Sequence, residues 1–119
     1  MAIAHGSEEI ETMAIIGTLK RAEADVTIGK VMSDEDADSN DMLVNMSRGV
    51  KVTAERAVDH TVNSNDFDAI VLPGGVKGAE NFNNNKEFIS LLKKHKESGK
   101  LLAAICASPA LALEPNGKN

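Results

Sequence analysis

Short apolar runs along the chain have the length and composition of β-strands. Residues 101–105 form a continuous apolar run, which predicts a strand buried on both faces of a sheet, and residues 67–72 indicate a second buried strand. Residues 26–31 alternate enough for another strand, and residues 1–4 predict a very short opening strand. We therefore expect four strands in addition to any hairpin.

Stretches with helical periodicity separate these strands. Ser7 is a candidate N-cap for a helix whose apolar side chains recur every three or four residues and which runs to about Ala24. Residues 78–85 predict a short helical turn, and residues 86–98 predict a fuller helix with one apolar side. Helices are thus expected after the first strand and after the strand at 67–72.

Residues 43–46 and 50–53 are two further strand-like segments. They flank Ser47-Arg48-Gly49, where glycine suits the positive φ of a tight turn, so we expect a β-hairpin. The predicted order is then strand, helix, strand, hairpin, strand, helix, strand, helix. This order is typical of an α/β fold in which a parallel sheet carries helices on both faces.

The only cysteine of the chain lies where the last apolar run meets the start of a helix. Cys106 follows residues 101–105 directly, and Ser108-Pro109 then opens a helix, because proline suits the first helical position. A side chain on such a turn is exposed at the carboxyl edge of the sheet, beside helix N–H groups that favour negative charge. Cys106 is therefore a candidate nucleophile, and the alternative is a small buried hydrophobic side chain.

Ligands of parallel sheets bind beyond the carboxyl ends of the strands. The strand exits here are His5-Gly6, Pro73-Gly74-Gly75 and Cys106-Ala107, and we expect these three turns to meet. Two adjacent glycines let the backbone bend tightly, so their N–H groups could face a ligand. Of the glutamates in the first helix, Glu11 is the best placed to reach a neighbouring exit; the alternative for it is a solvated helix face.

Composition and charge narrow the classes of function. The 119 residues include 18 acidic and 13 basic side chains, which gives a net charge of -5, and there is no Trp or Tyr. A nucleic-acid groove needs basic residues together with aromatic ones, so nucleic acid is not expected as a partner. No apolar run approaches the ~20 residues of a membrane span, and no basic secretory signal opens the chain. One cysteine excludes an internal disulfide, so we expect a reducing, cytoplasmic location. Because metal-ligand motifs are absent, we expect no structural zinc.

Three polar features are interpreted as surface. Residues 33–41 contain five acidic side chains without periodicity and are expected to form a solvated loop. His60 is expected in an exposed loop. His95 is expected at the surface near the end of its helix.

Four segments carry motifs that occur together in a known family. They are residues 6–12 (Gly-Ser-Glu-Glu-Ile-Glu-Thr), 47–50 (Ser-Arg-Gly-Val), 68–81 (Asp-Ala-Ile-Val-Leu-Pro-Gly-Gly-Val-Lys-Gly-Ala-Glu-Asn) and 103–109 (Ala-Ala-Ile-Cys-Ala-Ser-Pro). In this order they resemble the ThiJ/PfpI superfamily, and its Parkinsonism-associated deglycase branch best. The resemblance covers nearly all of the chain.

The resemblance implies a fold, a site and an activity. The implied fold is a flavodoxin-like three-layer sandwich, similar to class I glutamine amidotransferase domains, and usually a homodimer. The implied site is an elbow cysteine, Cys106, a glutamate hydrogen-bonded to it, Glu11, and an oxyanion hole made by the N–H groups of Gly75 and Ala107. The implied activities need no cofactor: conversion of a 2-oxoaldehyde such as methylglyoxal to lactate, and repair of early glycation adducts.

Other functions stay open at this point. Such proteins also act as oxidative-stress sensors through the same cysteine and as chaperones, and relatives include peptidases and amidotransferase-like hydrolases. Family members continue beyond the elbow and supply a histidine near the cysteine, whereas no histidine follows Cys106 here. We therefore expect residues 1–119 to be the N-terminal portion of one domain, whose remainder is cleaved, truncated or supplied by a second polypeptide.

Overall fold

The computed structural model describes residues 1–37 and 39–117 and has an α/β architecture. The helices and strands, in chain order, are β1 Ala2–Ile3, α1 Glu9–Arg21, β2 Gly29–Lys30, β3 Leu43–Asn45, β4 Lys51–Thr53, β5 Arg56–Ala57, β6 Ala69–Leu72, α2 Val76–Asn84, α3 Lys86–Glu97 and β7 Leu101–Ala104. A short π-helical segment, Pro109–Leu113, follows β7.

The strands pair in parallel, as the element order predicts. β2 lies between β1 and β5, with Ile3 opposite Lys30 and Lys30 opposite Ala57. β6 pairs with β7 along four residues, and β1 lies beside β6. β3 and β4 form the predicted antiparallel hairpin, whose turn contains Gly49 at a φ of 91°. The carboxyl ends of β1, β6 and β7 therefore share one edge.

Alternation along β1 divides the core between two faces of the sheet. Ala2 and Ala4 belong to a buried cluster that includes Phe82 of α2 and Leu92 of α3. Ile3 points the other way and packs with residues of the hairpin, among them Val44, Met46 and Ala54. The sheet is thus covered by α2 and α3 on one face and by the hairpin on the other.

The first helix begins one residue later than the sequence predicts. The Glu8 side chain caps it by accepting a hydrogen bond of 2.7 Å from the Glu11 N–H. The expectation that Ser7 is the N-cap is wrong, because the Ser7 hydroxyl accepts a hydrogen bond from Ala4 N–H instead. Lys20 and Arg21 close the helix, where cations suit its negative end.

The expectation that residues 101–105 are buried on both faces is also wrong. Leu101 is 63% exposed and Ile105 is 44% exposed. Within the part of the chain that the structure describes, β7 pairs with β6 alone. An apolar strand with a neighbour on one side keeps part of its surface in contact with solvent.

The acidic loop is not entirely solvated. Asp36 is buried, and its Oδ1 atom accepts hydrogen bonds from Lys30 Nζ at 2.8 Å and from His5 Nε2 at 2.9 Å. Burial alone would raise the pKa of Asp36, but the hydrogen bonds from Lys30, Ser33 and His5 outweigh it and lower the pKa to about 2. Residue 38 of the predicted loop lies outside the described residues.

The surface position expected for His95 is wrong. His95 is fully buried between α3 and β7, and its Nε2 atom donates a 2.8 Å hydrogen bond to the carbonyl oxygen of Leu101. His60 is exposed, as expected. None of the helices in the described ranges is both long and apolar enough to cross a bilayer.

Candidate active site

The cysteine lies on a strained and exposed turn. Cys106 follows β7 by two residues, is exposed, and has a φ of 60°. Non-glycine residues seldom adopt this left-handed conformation, and those that do occur often at functional sites. The strand-to-helix geometry is that of a nucleophile elbow. The alternative of a buried hydrophobic cysteine is therefore excluded.

The loop after β6 packs closely against the turn after β1. Gly75 has a φ of 92° and caps α2, and a Cβ at this position would lie 2.9 Å from Glu8 N and would also collide with Gly6 O. The Glu8 N–H donates a 3.0 Å hydrogen bond to Gly74 O. Only glycine allows the two backbones to approach this closely.

Glu11 reaches the same place from α1. Its Oε1 atom accepts a 2.8 Å hydrogen bond from the N–H of Gly74. A Cβ on Gly74 would lie 2.6 Å from that oxygen and 2.5 Å from the Cβ of Cys106. The carboxylate and the cysteine therefore flank one glycine, and the three predicted exits meet.

The two other glutamates at the start of α1 are engaged elsewhere. Glu8 caps the helix, as described above. Glu9 accepts hydrogen bonds from Ser47 Oγ at 2.5 Å and from Arg48 N–H at 2.9 Å, which ties α1 to the hairpin. The hydrogen bond from Ser47 is the main cause that lowers the pKa of Glu9 to about 2. Of the three, Glu11 alone lies beside Cys106.

The hydrogen bond between Glu11 and Cys106 that the family resemblance implies is not formed. Across residues 1–37 and 39–117, the Glu11 carboxylate is hydrogen-bonded to the Gly74 amide and not to the thiol. The roles of both residues remain predictions. What the structure shows is their proximity.

The N–H groups of Gly75 and Ala107 lie on the two turns that border the cysteine. Gly75 immediately precedes α2, and its N–H donates no hydrogen bond to any of the described residues. Ala107 opens the helical segment after the elbow, where the first N–H groups have no partner within the helix. Both groups are therefore available as donors, and their role in an oxyanion hole remains a prediction.

Ser108 is a site residue that the sequence analysis missed. It was expected only to help open a helix, but its fully buried hydroxyl donates a 2.5 Å hydrogen bond to Pro73 O. It thereby joins the elbow to the loop after β6. A polar residue directly between an elbow and its helical proline is the signal that could have indicated this contact.

The histidines contact other groups. His5 Nδ1 accepts a 3.1 Å hydrogen bond from Asn45 N–H, so the proton lies on Nε2 and is donated to Asp36. His95 is bound to Leu101, and His60 is exposed. In the described ranges no three His, Cys, Asp or Glu side chains are grouped as a metal site would require.

Comparison with known proteins agrees with the fold. Residues 1–118 match the family model described as DJ-1/PfpI family. Protein DJ-1 homolog B of Arabidopsis thaliana is 46% identical over 115 residues, and the glutathione-independent glyoxalase DJ-1 of Schizosaccharomyces pombe is 33% identical over 115 residues. The solved structure of oxidized Toxoplasma gondii DJ-1 superposes with a TM-score of 0.86 at 42% identity and covers 98% of this chain.

The relatives are longer than this chain. The matched region is 97% of this chain but 24% of the Arabidopsis protein, and 92% of this chain but 58% of the yeast protein. The Toxoplasma structure is matched over 59% of its length. The similarity therefore shows the fold and the family over the matched portion.

Proposed function

Because the chain belongs to the DJ-1/PfpI family, we propose that the protein is a cofactor-independent glyoxalase or deglycase-like enzyme with Cys106 as nucleophile and Glu11 as acid–base group. The observation that carries this proposal is the meeting of these two residues at Gly74. The name of the fission-yeast relative, a glutathione-independent glyoxalase, supports the choice of reaction.

The first step proposed is addition of the cysteine to an aldehyde. The Cys106 thiolate attacks the aldehyde carbon of a 2-oxoaldehyde, forming a C–S bond and moving the carbonyl electron pair onto oxygen. The N–H groups of Gly75 and Ala107 stabilise this oxyanion, which then takes up a proton to give a hemithioacetal. Removing one such donor costs about 10²–10³ in rate in enzymes that use an oxyanion hole.

The second step is a proton transfer between two carbons. Glu11 removes the proton from the carbon bound to sulfur, giving an enediolate, and returns it to the neighbouring carbon. The hydroxyl proton passes to the other oxygen in the same step, which yields a thioester of the 2-hydroxy acid. Water then hydrolyses the thioester and releases lactate when the substrate is methylglyoxal. Together these steps oxidise one carbon of the substrate and reduce its neighbour, so the reaction needs no external oxidant or reductant.

The surroundings of Glu11 suit this role. Its Oε1 atom is held by the Gly74 N–H, whereas Oε2 has no hydrogen-bond partner among residues 1–37 and 39–117. One oxygen thus fixes the side chain and the other is available to a substrate. Glu11 is half-buried, which limits competition from solvent.

The test is formation of lactate from methylglyoxal by the complete protein, because residues 1–119 are expected to be only the N-terminal portion of one domain. We expect turnover by the parent protein and loss of turnover in Cys106→Ser, with Ser98→Ala, an exposed serine variant, as the control. Equal turnover by Cys106→Ser would contradict a nucleophilic role for the cysteine. Glycated peptides assayed in parallel distinguish a deglycase from a glyoxalase.

A redox-sensing role is the second candidate. It is favoured by the exposure of the single thiol and by the oxidized form in which Toxoplasma DJ-1 was solved. Oxidation of Cys106 in a protein that turns over no aldehyde would support it. A hydrolase of the peptidase or amidotransferase-like type is a weaker candidate, because it needs a histidine next to the thiol.

The proposed partners are a small 2-oxoaldehyde or glycated substrate and a second copy of the chain. Two apolar side chains of α1 are exposed, Ile10 at 76% and Met13, and so is Val50 of the hairpin. The hydrogen bond between Glu9 and the Arg48 N–H joins α1 to the hairpin. This apolar surface supports a homodimer. Sedimentation of the parent protein and of Ile10→Asp tests the dimer, with a monomer expected for the variant; a monomeric parent would contradict it.

The single free cysteine supports a cytoplasmic location.

A further inference from the structure

Ser108 makes an unusual contact for a residue at the start of a helix. It precedes Pro109 and has helical φ and ψ angles, and its hydroxyl caps no N–H of the helix. The hydroxyl instead points to the neighbouring loop and donates to Pro73 O at 2.5 Å. Both groups are buried. A buried hydroxyl in this position forms a specific link between the elbow and the Pro73–Gly74 peptide group.

The same peptide group contacts Glu11 on its other side. The carbonyl oxygen of Pro73 and the N–H of Gly74 belong to one planar unit. The oxygen accepts from Ser108, and the N–H donates to Glu11 Oε1 at 2.8 Å. A hydrogen-bonded chain therefore runs from Ser108 through this peptide group to the carboxylate.

We propose that Ser108 is a positioning residue that orients Glu11 through the Pro73–Gly74 peptide group. Because the peptide is planar, fixing its oxygen also fixes the direction of its N–H. A carbonyl that accepts a hydrogen bond makes its N–H a stronger donor, since bonds in a chain polarise one another. A stronger donor forms a tighter hydrogen bond to the Glu11 carboxylate.

The catalytic meaning of this inference rests on the proposed function, in which Glu11 takes up and releases a proton. Ser108 sets the position in which Glu11 is held for that step. The link itself is independent of any turnover. It can therefore be measured on the resting protein.

Other titratable groups near Glu11 must be separated from Ser108. The Cβ of Cys106 and the Glu11 carboxylate both lie close to the position that a Gly74 Cβ would take, and Glu8 accepts a hydrogen bond from the Glu11 N–H. On α2, Lys77 forms an exposed ion pair of 2.7 Å with Glu35. All variants are compared at one pH in a Cys106→Ser background, so the thiol is absent and the other charged groups are the same in every protein.

The test measures the amide-proton chemical shift of Gly74 by NMR at about neutral pH, because this proton is hydrogen-bonded to Glu11. Glu11→Gln should change this shift, which assigns the signal. Ser108→Ala should move the resonance upfield, because a less polarised peptide group forms a weaker hydrogen bond to the carboxylate. Ser108→Thr, which keeps a hydroxyl, should restore it. Ser98→Ala removes a serine that also donates to a carbonyl, that of Lys94, and should leave the resonance unchanged.

A Gly74 amide resonance that is unchanged or moves downfield in a folded Ser108→Ala protein would overturn the proposal, as would an equal change in Ser98→Ala. If the alanine variant does not fold, Ser108→Gly takes its place. Failure of both to fold while the threonine variant folds would show that the hydroxyl only supports the fold, and would also overturn it. If the Gly74 resonance moves as expected but the parent protein with Cys106 intact forms no lactate, the proposed function is contradicted while the link from Ser108 to Glu11 stands.

Discussion

The Oε1 atom of Glu11 lies 2.8 Å from the backbone nitrogen of Gly74 and accepts a hydrogen bond from its N–H. This contact brings a side chain from the first helix to the loop after the sixth strand. The cysteine elbow lies against the same glycine, with no space for a side chain between them. The Cβ of Cys106 and the Oε1 atom of Glu11 therefore both lie within 2.6 Å of the point that a Cβ on Gly74 would occupy.

Gly74→Ala should disrupt the site by steric overlap. The new Cβ would lie 2.5 Å from Cys106 Cβ and 2.6 Å from Glu11 Oε1, so at least one of the two side chains must move. We expect a loss of about 1–3 kcal/mol in the free energy of unfolding, as for other overpacked positions, and a clear fall in turnover. Denaturant unfolding and the lactate assay measure the two effects.

Gly17→Ala is the matched control for this substitution. Gly17 lies within α1, and its added Cβ would meet only the tip of the Arg21 side chain, at 3.3 Å. Helical propensity predicts a gain of about 0.5–1 kcal/mol at this position. If Gly74→Ala were as stable and active as the parent, the site could not be packed as described.

Asp36→Asn should destabilise the protein at neutral pH. Lys30 is buried and donates to Asp36, so loss of the carboxylate leaves its ammonium without a counter-charge. Breaking a buried ion pair in this way costs about 3–5 kcal/mol in the free energy of unfolding. Asp34→Asn, at an exposed neighbouring position, is the control and should change it little. A small effect at Asp36 would mean that the pair is solvated.

The Asp36 carboxylate should also make the free energy of unfolding depend on pH in the acid range. Its pKa is lowered from 3.8 to about 2 by hydrogen bonds that outweigh the effect of burial. A lowered pKa means that the stabilisation is complete above about pH 4 and is lost as the pH falls toward about 2. Denaturant unfolding of the parent should therefore show a steeper loss of stability in this window than Asp36→Asn. Identical slopes would contradict the assignment.

Mild peroxide should oxidise Cys106 in preference to other side chains, because its thiol is exposed. We expect intact-mass spectrometry to show addition of two oxygen atoms, and peptide mapping to place them on Cys106. Cys106→Ser is the control that separates this product from oxidation of the five methionines. Oxidation confined to methionine would contradict a sensor role.

Local sequence signals predicted the elements that form this site. Proline and glycine after an apolar run marked the end of β6, and a proline after Cys106 marked the helix after the elbow. Gly49 marked the hairpin turn, where a positive φ is observed. These signals are reliable because each depends on the backbone of the residue itself.

Contacts between distant segments could not be predicted in the same way. The burial of Asp36 depends on Lys30 of β2 and on His5 after β1, and neither contact leaves a periodic pattern in the loop. Likewise, His95 resembles an exposed residue near a helix end until β7 covers it. Ser108 was missed because its partner, Pro73, lies 35 residues away in the chain. Polar residues with distant partners therefore account for most of the differences.

The most direct test of the pairing of Glu11 with Cys106 is the turnover of methylglyoxal by Glu11→Gln. The glutamine can still accept from the Gly74 N–H, so the fold and alkylation of Cys106 by iodoacetamide should persist, while turnover should fall by about 10²–10⁴-fold. Glu80→Gln, exposed on α2, should retain full turnover. Full turnover in Glu11→Gln would contradict the role of Glu11 as the acid–base partner of the cysteine.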